Sequence, residues 1–198
     1  MSVTLGSRAR SPLSGETLAL DAATGTLPPV VAHAIAAIAL GLLGASGIMK
    51  LVDPEPTTGA MNVAHLPSSN LVSRLLGLFE IGLCLTGLAM AGISVLVAAA
   101  LYLAFTIFTL VAVISRIPLQ SCGCFGREDT PPTVIHVAFN LAATVALFVV
   151  YLQGGGPVDW ALPPVELVLY LGFTAIGVYT TYLLMTRLPQ VLEATRRA

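Results

Sequence analysis

The chain has 198 residues, of which 56% are hydrophobic and 10% charged, with a net charge of −1 and a mean hydropathy of +0.90. A soluble domain carries about 25% charged residues, so this composition excludes a water-soluble globular fold, and without a basic excess nucleic acid is excluded as a partner. Three cysteines are too few for a disulfide scaffold and leave a pair plus one.

Residues 1–28 are rich in Ser, Thr, Gly and Pro, with Arg8, Arg10, Glu16 and Asp21 among them. No continuous apolar core follows the basic residues, so the segment does not read as a signal peptide. It is expected to be a mobile tail, with the first membrane helix as the insertion signal. Five apolar stretches then follow, from about Pro29 to Val52, Leu71 to Met90, Ile93 to Ser115, Val134 to Leu152 and Val165 to Leu188. Each meets the roughly 20 apolar residues that a span needs. Backbone groups find no water in lipid, so each stretch should be helical. The predicted fold is an all-α polytopic membrane protein in three parts: the tail, a four-span region over 29–152, and a loop, fifth helix and short basic tail over 153–198.

Within the first span Gly41, Gly44, Ala45 and Gly47, and within the second Gly77, Gly82 and Gly87, are small residues that let helices approach closely. Ala91-Gly92 reads as a tight helical hairpin. Tyr151 and Trp160 sit near span ends, where interfacial aromatics belong.

Five spans put the two termini on opposite sides. One side receives Arg8 and Arg10; the other receives Lys50, Arg74, Arg116, Arg127, Arg187, Arg196 and Arg197. By the positive-inside rule the second side is cytoplasmic. The membrane expected for this topology is the cell membrane.

Polar residues inside apolar spans are costly and therefore informative. Lys50 closes the first span. Glu80 lies within the second, with Cys84 one turn further on the same face. His136 and Asn140 open the fourth span with the same i, i+4 spacing. All of these are expected at one membrane face. Glu80 reads either as a structural carboxyl paired with Lys50 or Arg74, or as a proton acceptor beside reactive thiols. His136 reads as a helix-start residue or as a group that helps a thiol ionise. Asn140 reads as a helix–helix hydrogen bond, and Cys84 as a small buried apolar residue or a redox relay.

The same face carries Ser121-Cys122-Gly123-Cys124-Phe125-Gly126. A Cys-Gly-Cys pair can close into a small strained ring, which is easily reduced and suited to exchange. Gly123 supplies the backbone freedom to close it. Two other readings stay open: unreactive thiols, or a copper or zinc site with His136. Zinc sites use Cys-x₂₋₄-Cys pairs and four ligands, and a second pair is missing, so no metal is assigned.

Gly44-Ala45-Ser46-Gly47-Ile48-Met49-Lys50-Leu51, Glu80 in the second span, Leu101-Tyr102 with Phe105 in the third, Arg116 ahead of Cys122-Gly123-Cys124-Phe125-Gly126, and His136 with Asn140 together resemble the MauE-type branch of the DoxX-like membrane proteins. The resemblance covers about residues 30 to 152. It implies an antiparallel four-helix bundle, to which the fifth span is an addition. It also implies a part in methylamine utilisation alongside a thioredoxin-like partner. There the family member supports maturation of the disulfide-rich small subunit of methylamine dehydrogenase.

The expected function is therefore thiol–disulfide redox work, with Cys122, Cys124 and Glu80 as the reacting groups. Lys50, Arg116, His136, Asn140 and Cys84 support them. The expected partners are the bilayer, a thioredoxin-like protein and a disulfide-bearing client. The sequence shows no quinone or flavin motif, so no cofactor is assigned. The alternatives are a non-catalytic assembly factor or scaffold, and a metal or small-molecule carrier. An inward-facing pair fits exchange with a cytoplasmic thioredoxin, whereas direct oxidation of exported clients needs the opposite face; the charge count favours the inward one.

Overall fold

The computed structural model describes residues 29–90, 92–115 and 132–197, with side chains as far as residue 187. The N-terminal tail and residues 116–131, with Arg116, Cys122, Cys124 and Arg127, lie outside the described residues, as does Ala91 of the expected hairpin. The described residues form six helices and no strand: α1 (Pro29–Val52), α2 (Glu55–Val63), α3 (Asn70–Ala89), α4 (Ile93–Ile114), α5 (Val134–Leu152) and α6 (Pro164–Arg197). Five are long and apolar enough to cross a membrane: α1, α3, α4, α5 and the Pro164–Arg187 part of α6. The expected polytopic all-α fold is the observed one, and the span limits agree closely.

Helix α2 was not expected. Pro56 falls in its first turn, where a missing N–H costs nothing, and Glu55 faces the positive helix end. Pro56, Thr57 and Ala60 are buried, so this short helix folds back onto the bundle. Ser69 then starts α3, its hydroxyl accepting the Val72 N–H at 3.2 Å. Gly92, at φ 103°, turns the chain between α3 and α4, a conformation that suits only glycine.

Helix α1 is the centre of the molecule and packs against α3, α5 and α6. Over half of its most apolar stretch is buried, whereas α6 buries only residues near its far end, such as Met185 and Thr186. Its Ala32, Ala36, Leu40 and Leu43 meet Ala98 and Tyr102 of α4 and Ala143 and Leu147 of α5. Lipid provides no water-expulsion drive between helices, so close packing of small residues has to hold them together. The seam of α1 with α3 is the tightest case. A Cβ placed on Gly47 would lie 2.5 Å from the Gly77 carbonyl oxygen, and one on Gly77 would lie 2.7 Å from that of Gly47. Helix α6 docks on α1 by a similar exchange: Val178 fills the notch at Gly41, and Ile38 fills the notch at Gly177.

Chain direction places the start of α1, the α3–α4 turn and the α5–α6 connection at one end of the bundle. Side chains there bond to backbone. Trp160 Nε1 donates to the Leu88 carbonyl at 2.9 Å. The Tyr170 hydroxyl donates to the Pro157 carbonyl at 2.7 Å, with the His33 carbonyl 3.3 Å away. The opposite end holds α2, the start of α3 and the start of α5.

Candidate functional site

Lys50 and Glu80 meet at that opposite end because of helix direction. In an α-helix the side chain leans back toward the N-terminus. Lys50 stands three residues after Gly47 on α1, and Glu80 three residues after Gly77 on α3, and the two helices run antiparallel. Each side chain therefore leans toward the other across the glycine crossing. The Lys50 stem lies directly over Gly77, where a Cβ would be 3.0 Å from the Lys50 Cβ. Lys50 Nζ donates to Glu80 Oε2 at 2.8 Å, and the pair is fully buried, with side-chain exposures of 2% and 0%.

The ammonium also donates to the Ser46 hydroxyl, one turn back along α1. That hydroxyl in turn lies within hydrogen-bonding reach of the Glu80 carboxyl. The open choice of partner for Glu80 is settled: Lys50 holds it, while Arg74 is exposed. Lys50 is therefore buried, whereas Arg74 and Arg187 are exposed. The charge difference read from sequence becomes two against six.

Glu80 Oε1 has no hydrogen-bond partner although it is buried. His136 Nε2 is the other buried atom in this condition among the described residues. His136 is held by the N-cap of α5. Its Nδ1 lies 3.3 Å from the Thr133 backbone nitrogen and 2.9 Å from the Thr133 hydroxyl, closing a capping box. The ring is 2% exposed. The residue borders a narrow cavity of about 20 Å³ that Ser46, Asn140, Tyr102 and Met185 also line. The Tyr102 hydroxyl is already given to the Ala39 carbonyl at 2.7 Å.

The sequence-predicted residues thus divide. Lys50 and Glu80 are in contact, and His136 and Asn140 face one cavity that Ser46 links to them. Cys84 is half-buried against Gly44, with its sulfur 2.8 Å from where a Gly44 Cβ would lie. Cys122, Cys124 and Arg116 lie outside the described residues. Two participants were missed. Ser46 was readable as the one hydroxyl a helical turn before Lys50, and Thr133 as a capping residue three before His136. A second cavity, of about 270 Å³ and mostly apolar, lies between the end of α1, α2, α3 and α4, and Lys50, Thr57, Phe105 and Phe108 line it.

The model of a family described as methylamine utilisation protein MauE matches residues 28–153, more than half of the chain. No curated protein and no solved structure matches it.

Proposed function

Since the chain belongs to the MauE family of methylamine utilisation proteins, and is a multi-pass membrane protein, we propose that it is a membrane thiol–disulfide redox protein. Cys122 and Cys124 are its exchanging pair and Glu80 the nearby proton acceptor. One observation carries this reading: a buried Lys50–Glu80 pair, with one carboxylate oxygen unpartnered, at the end where the Cys-Gly-Cys segment joins α4 to α5. Burying two charges in an apolar bundle is costly, and packed hydrophobic residues of the same volume hold helices as well or better. Retaining the charges supports a chemical use. The partner is a thioredoxin-like protein, and the client a protein with disulfides. The setting is the cell membrane, with the pair on the cytoplasmic side, where six basic residues still gather.

Trapping tests the reading. With Cys122→Ala or Cys124→Ala, one variant should accumulate a mixed disulfide with a thioredoxin-like protein. Full function in the Cys122→Ala, Cys124→Ala double variant would replace this reading by the scaffold. Glu80→Gln keeps the shape and removes the proton exchange. It also leaves the Lys50 ammonium buried without its counter-charge, so the amount of folded protein should fall, and the molecules that remain should reoxidise the pair about a hundredfold or more slowly, the range of general acid–base catalysis. Labelling of Cys122 or Cys124 by an impermeant maleimide in intact cells, after reduction, would reverse the orientation. The 270 Å³ apolar cavity favours a second reading, carriage of a small apolar molecule. That reading requires saturable binding of such a molecule to the purified protein.

A further inference from the structure

We propose that the cavity beside His136 holds one ordered water, which joins His136 to Ser46 and through it to Glu80 as a proton relay for the cysteine pair. The relay rests on the thiol–disulfide reading; the water site does not.

The cap of α5 fixes the tautomer of His136. His136 Nδ1 receives the Thr133 backbone N–H, which can only donate. In the neutral ring the proton therefore sits on Nε2, making that atom a donor. It is buried, it has no protein acceptor, and its side chain borders the cavity. Leaving such a donor unmet in a buried site is costly. The cavity volume of about 20 Å³ suits a single water, which needs about two to four polar partners. Ser46, Asn140 and His136 supply them, and Leu42, Leu43, Phe105, Phe139 and Met185 form the apolar lining. Tyr102, the other polar lining residue, is committed to Ala39. From Ser46 the path continues to the Glu80 carboxyl, with the Lys50 ammonium donating to both. At the other end it reaches Thr133, which in sequence follows the segment that carries Cys122 and Cys124.

The chemistry balances with a partner disulfide as oxidant. The Cys122 and Cys124 S–H bonds and the partner's S–S bond break. An S–S bond forms in the pair and two S–H bonds form on the partner, which receives both electrons. Between the two half-steps the attacking thiol has ionised and the partner's leaving thiolate is not yet protonated. The relay takes up the proton of the first event on the Glu80 carboxylate and returns it for the second.

Two measurements on the full chain in lipid nanodiscs test this. In ¹⁵N-histidine-labelled protein, with His136 assigned by its loss in His136→Gln, Nε2 should carry the proton and exchange magnetisation with water. Ser46→Val should abolish that exchange and Ser46→Thr should keep it. In the second, the reduced pair is oxidised with glutathione disulfide in H₂O and D₂O. Ser46→Val should slow oxidation at least tenfold, Ser46→Thr should restore it, and the solvent isotope effect of the wild type should be lost in Ser46→Val. A dry Nε2 in the wild type overturns the water site and the relay. A wet Nε2 with an unchanged Ser46→Val rate overturns the relay alone. A wild-type pair that never exchanges with any disulfide overturns the thiol reading and the relay, while the water exchange at Nε2 still reports the site.

Discussion

The two ends of the bundle solve the same problem differently. At the Trp160 end, long aromatic side chains donate to backbone carbonyls: Trp160 to Leu88 and Tyr170 to Pro157. The donors there are neutral, and the bonds fasten a loop to helix ends. At the Lys50 end, charged and polar side chains bond to one another inside the bundle, and Glu80 Oε1 and His136 Nε2 are left without partners. Neutral aromatic donors suffice to fasten helix ends in this protein. An ion pair with an unmet oxygen is a dearer arrangement, and among the described residues it occurs at that end alone, the contrast on which the proposed redox role draws.

The largest expected effect comes from removing one charge at the polar end. Lys50→Met strands a buried carboxylate and should cost about 3–5 kcal/mol, read as a lower melting temperature in detergent or nanodiscs. Lys50→Met with Glu80→Leu should recover most of that loss. A double variant as unstable as the single one would mean that the pair is also the main structural clamp. Next in size is Gly77→Ala. Its Cβ would press on the Gly47 carbonyl at 2.7 Å, so α1 and α3 must separate, at about 1–3 kcal/mol. The separation should also loosen the Lys50–Glu80 contact and slow reoxidation of the cysteine pair. The smallest effect belongs to the other end. Trp160→Phe removes one hydrogen bond worth about 1 kcal/mol and should leave cysteine exchange unaltered. A slowed exchange in Trp160→Phe would erase the contrast between the two ends.

The spans were legible because hydropathy alone decides them: twenty apolar residues in a row leave a chain few options. Helix α2 was not legible. Nine residues with Pro, Thr and Gly carry little propensity of their own, and α2 exists because Pro56, Thr57 and Ala60 find the bundle surface. Within the site, Glu80 stood out as a carboxyl in an apolar run, yet sequence left Lys50 and Arg74 as equal partners. The choice between them depends on the Gly47–Gly77 crossing, a tertiary fact that sets which cation leans inward. Ser46 escaped notice because a single serine among glycines and alanines reads as helix packing. Its meaning comes from the two charges that close around it. Helix α5 shows the same pattern: the His136–Asn140 spacing was visible, but that Thr133 orients the imidazole was not.

Helix α6 has a consequence that its exposed surface hides. The family match ends at residue 153, and Met185 of α6 lies beyond it. Met185 is 2% exposed and forms one wall of the narrow cavity at His136 and Asn140. Val178 in the Gly41 notch and Ile38 in the Gly177 notch seat that helix, with the Tyr170 hydroxyl near the His33 carbonyl at its start. For the proposed relay, the fifth span therefore serves as insulation: Met185 puts protein where an acyl chain would otherwise lie against the gap between α1 and α5, so the hydrogen bonds proposed there would have their strength set by protein rather than by lipid.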